Sequence, residues 1–199
     1  MAVDASGNAS IVAADINGGS TDNGTIVSLV ASQTAFDCSN LGTNNITLTI
    51  TDDGGNSDAC TATVTVLDTI APTVVCQNID AFLDASGNVT ITGADLDGGS
   101  SDNCGTGSLT FTSSVASFSC ADLGPQNVTL TVTDASGNVS TCSATVTVQD
   151  TITPTIACNA ATINIGTNGW AVITANALAT WSDNCSSGIS TWTSSDSVN

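Results

Sequence analysis

Along residues 139–149 apolar and polar side chains alternate, with Cys142, Ala144, Val146 and Val148 on one parity and Ser143, Thr145, Thr147 and Gln149 on the other. A period of two in a stretch rich in Val and Thr predicts a strand with one face on a core and one in water. Val128, Leu130 and Val132 carry the same pattern upstream and predict its hairpin partner. The turn between them, Asp134-Ala-Ser-Gly-Asn138, offers Gly137 for a left-handed conformation and the Asp134 carboxylate as acceptor for nearby amides. The whole passage, TDASGNVSTCSATVTVQDTITPTIAC at 133–158, also stands at 51–76 as TDDGGNSDACTATVTVLDTIAPTVVC. Cys38 and Cys120, Cys60 and Cys142, and Cys76 and Cys158 are each 82 residues apart, so the chain is a tandem array with a period of about 82 residues, the size of one small β-sandwich.

Three units follow. Residues 1–68 form a partial repeat without its first strand, 69–150 a complete repeat, and 151–199 a partial repeat that stops before its last hairpin. The complete repeat shows seven short alternating segments with regular turn signals, which predicts an all-β fold of tandem immunoglobulin-like sandwiches. The joints, Asp68-Thr-Ile-Ala-Pro72 and Asp150-Thr-Ile-Thr-Pro154, are short, and proline stiffens them.

Composition narrows the function. The 199 residues contain no Lys, Arg or His and 18 acidic residues, all Asp, for a net charge of -18. Asp without Glu favours turns over helices. No cationic side chain can neutralise phosphate, which excludes nucleic acid as a partner, and no apolar run reaches the roughly 20 residues needed to span a bilayer, so no membrane insertion is expected. With no His, Glu, Lys or Tyr, general acid-base catalysis has only Asp to draw on, and no side-chain cation activates a thiol, so no enzyme is expected. Repeat text begins immediately after Met1 with no signal peptide, and the expectation is an excerpt of a longer array. The alternative is completion of the partial units by other copies in a strand-donating filament.

Eight cysteines without a CxxC pair or any His predict disulfides and an oxidising, extracellular setting. Parity within each unit predicts local pairs: Cys38 with Cys60, Cys76 with Cys104, Cys120 with Cys142, and Cys158 with Cys185. Calcium is the expected cofactor, since it takes hard oxygen ligands. The first candidate site is Asp95, Asp97, Asp102 and Asn103, where Gly98 and Gly99 let the chain fold back; the first repeat matches it with Asp15, Asn17, Asp22 and Asn23. The linker residues Asp68 and Asp150, each joined to the turn Asp of a neighbouring unit, are the second candidates. Trp170, Trp181 and Trp192 suit either a core or, in the alternative function of a carbohydrate-binding module, stacking on surface glycans.

The spacing D-T-x-x-P-x-[IV]-x-C followed by T-D-x-x-G-N-x-x-x-C-x-x-x-V-x-V resembles the hyalin repeat, an immunoglobulin-like module. With DNC, FxCxxLG and DASGN added, it is similar to the tandem arrays of giant surface adhesins of gliding and biofilm-forming bacteria. The resemblance spans the chain. It implies a non-catalytic, extracellular adhesin, stalk or filament whose partners are neighbouring repeats. It also implies a rival pairing, Cys76 with Cys142 and Cys104 with Cys120. Asp68-Thr69-Ile, Asp150-Thr151-Ile and Asp196-Ser197-Val are similar to the O-glycosylation signal of such bacteria, which makes Thr69, Thr151 and Ser197 candidate modification sites.

Overall fold

The computed structural model describes residues 1–105, 107, 109–160, 162–164, 167 and 179–185, and among these the regular structure is strand and short 3-10 turn, with no α-helix. The all-β expectation holds. The first repeat contains β1 (Asn8–Ser10), β2 (Ile26–Ala31), β3 (Ala35–Asp37), β4 (Gly42–Asp52) and β5 (Ser57–Val66). The middle repeat contains β6 (Ile79–Phe82), β7 (Asn88–Thr90), β8 (Thr110–Ser113), β9 (Ser117–Ser119), β10 (Gly124–Thr133) and β11 (Val139–Gln149); the third contributes β12 (Thr155–Cys158) and β13 (Ala179–Ser182).

Both hairpins fall where the alternation places them. In the first repeat β4 pairs with β5 antiparallel from Gly42 opposite Val66 to Thr51 opposite Ser57, and β2 adds to the other edge of β4. The middle repeat repeats this as β8-β10-β11 and adds β6, parallel, on the outer edge of β11. Each repeat also has a small two-stranded sheet, β1 with β3 and β7 with β9. Asp closes the hairpins as the motif requires. Asn56 N–H donates to Asp52 Oδ1 at 2.7 Å and Asn138 N–H to Asp134 Oδ1 at 2.8 Å. Gly55 and Gly137 hold φ of 84° and 90°, which a residue with a Cβ adopts only at a cost.

Alternation also builds the core. In the first repeat Val3, Phe36, Ile46, Val64 and Val66 cluster, with Ala9 and Ala31 packed on them, so the two sheets meet across an apolar layer. In the middle repeat Val128, Leu130 and Val132 of β10 and Ala144, Val146 and Val148 of β11 are buried. By proximity of Cα atoms the chain divides into two compact units. One comprises Met1–Cys76, Asp97–Thr112 and Leu130–Cys142; the other comprises Gln77–Leu96, Ser113–Thr129 and Ser143–Asn199.

The cysteines overturn the local pairing. The bridges are Cys38–Cys104, Cys76–Cys142 and Cys120–Cys185, and Cys60 and Cys158 are free and exposed. Cys76–Cys142 agrees with the pairing that the hyalin resemblance implies, and Cys104–Cys120 does not occur. Parity fails because it treats each repeat as closed, whereas two of the three bridges run from one repeat into the next. Geometry blocks the local pair as well: Cys60 sits in β5 opposite Leu48, while Cys38 opens a 3-10 turn after β3, in the other sheet.

Leu130, with no exposed surface, is a test of this core. Leu130→Ala is expected to cost about 2–5 kcal/mol, lowering the denaturant midpoint without changing the slope of the transition.

Acid should unfold the chain in a defined window. Asp4, Asp37, Asp52 and Asp95 are held below the ordinary 3.8, chiefly by the Asn8 N–H, the Ser39 hydroxyl, the Asn56 side-chain amide and the Thr92 N–H respectively. A carboxyl depressed by folding stabilises fully above its unfolded value and ceases to do so as pH falls through its folded one. With no His in the chain, the melting temperature is expected to be flat from about pH 5 to 8 and to fall below pH 3.8. A step in stability near neutral pH, measured by calorimetry, would contradict this origin.

Candidate functional site: the repeat junctions

Among the described residues two places bring chemistry-bearing residues together, and they are copies of each other. The first begins with the turn Asp4-Ala-Ser-Gly-Asn8. Asp4 Oδ1 accepts from the N–H groups of Ser6 at 2.8 Å and Asn8 at 3.0 Å, which folds the backbone sharply and puts Gly7 at φ 75°. Onto this turn comes Asp102-Asn103-Cys104 of the next repeat. Asn103 Nδ2 donates to the Asp4 carbonyl and to Asp68 Oδ1, each at 3.3 Å. Beside it Cys104 closes the bridge to Cys38. The approach is so close that a Cβ on Gly7 would stand 2.8 Å from both the Asn103 carbonyl oxygen and Cys38 Sγ, so glycine is required here by space as well as by φ.

The second junction uses the same residues one repeat later. Asn184 Nδ2 donates to the Asp84 carbonyl and to Asp150 Oδ1, each at 3.1 Å, and Cys185 bridges to Cys120. Gly87, at φ 73°, would place a Cβ 2.7 Å from Cys120 Sγ and 2.8 Å from the Asn184 carbonyl oxygen. The linker aspartates also fix their own joints, with Asp68 Oδ1 accepting from Ile70 N–H and Asp150 Oδ1 from Ile152 N–H, both at 3.1 Å.

Each junction leaves the same oxygens unmatched. Asp102 Oδ1, Asn103 Oδ1, Asp183 Oδ1 and Asn184 Oδ1 are buried atoms with no hydrogen-bond partner. A buried acceptor left without any donor costs about 1–3 kcal/mol, a cost that water or an ion meeting these oxygens would remove. Asp68, itself only 8% exposed, and Asp102 bring carboxylate oxygens within 4.8 Å of one another and of Cys104 Sγ. That sulfur is committed to its bridge. The remaining donors are all hard oxygens, the set that suits calcium rather than zinc or copper.

The other predicted ligands have local roles. Asp95 Oδ2 accepts from Thr92 N–H and Oγ1, at 2.7 and 2.8 Å. Asp97 Oδ1 accepts from Ser100 N–H and Oγ at 2.8 and 2.5 Å; burial raises its carboxyl, but these donors and the Gly99 N–H outweigh it and hold the group below 3.8. In the first repeat Asp15 caps Val12 N–H, Asn17 binds Ser20, and Asp22 accepts from Gly24 N–H. Of these acids only Asp102 gathers with a linker Asp. The sequence carried one sign of this: Asp22-Asn23-Gly24 lacks the Cys of Asp102-Asn103-Cys104, and no FxC segment stands ahead of it in this chain.

Trp181 is half-buried on β13 opposite Ile156 of β12, while Trp170 and Trp192 lie outside the described residues. Thr69 and Thr151 are exposed next to their joints, and Ser197 lies outside the described residues.

No family model matches the chain, and no curated protein matches it. Among solved structures it is similar to the human mucin-like protocadherin EC1-2, at 15% identity and a TM-score of 0.33 over 60% of this chain and 76% of that one. It is similar to extracellular cadherin domains 1-4 of protocadherin gamma B7, at 14% identity and a TM-score of 0.33, over 73% of this chain and 44% of that one, so it spans less than half of that structure. It is also similar to fibronectin(III)-like modules of Clostridium thermocellum CbhA, at 14% identity and a TM-score of 0.26, over 59% of this chain and 67% of that one.

Proposed function

We propose that this chain is a non-catalytic, tension-bearing segment of an extracellular adhesin or stalk, in which each repeat is covalently fastened to the next. The observation that carries this reading is the order of the bridges. Cys38–Cys104 joins the first repeat to the middle one and Cys120–Cys185 joins the middle one to the third. A pulling force therefore has a covalent short cut. It enters at Cys104, follows 16 peptide steps to Cys120 and leaves for the next repeat, bypassing the rest of the 82-residue period. Such bridges persist only where the surroundings are oxidising, which supports a place outside the cell.

Stretching single molecules by their termini tests this directly. In the oxidised chain only 37 steps before Cys38, the 16 between Cys104 and Cys120, and 14 after Cys185 can extend. At roughly 3.3–3.6 Å per residue the expected contour is about 240 Å, rising to about 690 Å after reduction. Cys104→Ser alone should release about 150 Å, because the Cys76–Cys142 bridge then carries the load across to the Cys120–Cys185 one. Equal contour lengths in both redox states would remove the reading.

A second feature of the same site supports calcium as a structural cofactor. Asp68 and Asp102 with Asn103, and Asp150 and Asp183 with Asn184, would each supply side-chain oxygens to an ion between repeats, with water or carbonyls completing the six to eight ligands calcium takes. The ion would satisfy the buried oxygens and offset the repulsion of paired carboxylates in a chain without side-chain cations. At a hundredfold excess over its dissociation constant, it would stabilise the fold by about 2.7 kcal/mol. Titration calorimetry is expected to find two sites per chain and one in Asp102→Asn, with Asp97→Ala unchanged. No heat, or a melting temperature indifferent to calcium and chelator, would exclude it.

A further inference from the structure

The bridges that join repeats lie in a different electrostatic setting from the bridge inside the middle repeat. At the first junction carboxylate oxygens of Asp68 and Asp102 and the Cys104 Sγ all lie within 4.8 Å of one another. Asp68 is buried, so salt and water screen its charge poorly. Cys38 Sγ faces oxygen as well, with the carbonyls of Gly7 and Asn103 at 3.6 and 3.7 Å. The second junction repeats this at Cys120 Sγ, where the carbonyl oxygens of Gly87 and Asn184 stand at 3.6 and 3.5 Å and Asp150 and Asp183 take the places of Asp68 and Asp102. No side-chain cation offsets these charges.

Cys76–Cys142 is the contrast. Its two residues are half-buried, as Cys38 and Cys104 are, so access alone does not separate the two bridges. Asp97 pairs across from Cys76, but its Oδ1 is held by Ser100 N–H and Oγ, and among the described residues no group of carboxylates gathers at Cys76 or Cys142.

A disulfide is opened by a thiolate. The thiolate bonds to one sulfur, the S–S bond breaks, and the other sulfur departs with the electron pair and takes a proton from water. A second thiolate then opens the mixed disulfide, so that two thiols are oxidised as the bridge is reduced. At the transition state one negative charge is spread over the attacking, the attacked and the leaving sulfur. At the junction that charge forms beside Asp68 and Asp102. Two like charges about 5 Å apart slow a reaction roughly fourfold even at the dielectric constant of water, and by more where they are buried.

We propose that Asp68 and Asp102 are an electrostatic shield for the Cys38–Cys104 bridge, and Asp150 and Asp183 for Cys120–Cys185, turning away the small anionic thiols that would cut the covalent path between repeats. Thiols that carry carboxylates of their own, such as glutathione, are the class repelled most strongly. The shield rests on the reading of these bridges as fastenings, but its test needs neither tension nor calcium, so either can fail alone.

The full chain, with free thiols capped and a chelator present, is treated at low salt with cysteamine, 2-mercaptoethanol or 3-mercaptopropionate. Their thiolates carry a balancing ammonium, no further charge, and a second negative charge respectively. Alkylation and peptide mapping time the opening of each bridge, and the rate at Cys38–Cys104 is divided by that at Cys76–Cys142, which cancels the intrinsic reactivity of each thiol. The ratio is expected to fall about tenfold from cysteamine to 3-mercaptopropionate, and the difference to shrink at about 1 M salt, where the Debye length is about 3 Å. Asp68→Asn and Asp102→Asn keep a side-chain oxygen for the N–H groups of Ile70 and Cys104 but remove a charge. Each should raise the ratio for 3-mercaptopropionate about fourfold. A ratio indifferent to the charge of the thiol, a ratio unchanged in both variants, or variants that speed both bridges alike through loosened packing would each overturn the proposal.

Discussion

A chain with no side-chain cation cannot knit itself together with ion pairs, and this constraint governs the polar chemistry of the whole molecule. Every Asp must find an N–H or O–H donor, meet water, or share a metal. Most take the first course within their own turn. Asp52 binds Asn56, Asp95 binds Thr92 and Asp122 binds Ser119, contacts that span three or four residues and order only their own loop. Cohesion over longer distances falls to neutral amides and to sulfur. Asn103 reaches back 99 residues to the Asp4 carbonyl and Asn184 reaches back 100 to that of Asp84, each beside a disulfide. Repeats of this size bury a modest core, and staples of this kind supply stability that packing alone does not.

Crowding at Gly7 and Gly87 shows how tight that arrangement is. The same five residues, Asp-Ala-Ser-Gly-Asn, occur at 4–8, 84–88 and 134–138. At 134–138 they close the β10–β11 hairpin, and a Cβ on Gly137 would meet nothing within 4 Å. At 4–8 and 84–88 the glycine lies under an asparagine carbonyl and a bridge sulfur. The local preference for a turn is identical in all three; what differs is whether another repeat comes down on it.

That contrast explains what could be read in advance. Strand alternation and the Asp–Gly–Asn turns act over two to five residues, so Val146, Leu130 and the hairpin at 134–138 were legible directly from their order. The use of Asn103 was not, because its partners lie in another repeat and Asn beside Asp in a loop ordinarily signals a turn. Cysteine pairing failed for the same reason. Counting cysteines within a repeat assumes that the repeat is where bonds begin and end, and Cys38 and Cys120 both reach outside it. The calcium expectation is split in the same way: within the loop Asp95 and Asp97 are engaged by Thr92 and Ser100, while Asp102 gathers with Asp68, the linker residue of the second candidate site.

The period written in the sequence is therefore not the span over which the structure is held together. A fragment cut at 69–150 would contain Cys76 and Cys142, but would leave Cys104 without Cys38 and Cys120 without Cys185. Asn103 would lose the Asp4 carbonyl, and the turn at 84–88 would lose the Asn184 amide. Each compact unit instead contains one whole junction: Asp4, Cys38, Asp68 and 102–104 in one, and Asp84, Cys120, Asp150 and 183–185 in the other. The bonds that matter most lie across the text boundaries at Asp68 and Asp150, where a repeat finishes its hairpin and the next supplies the residues that hold it.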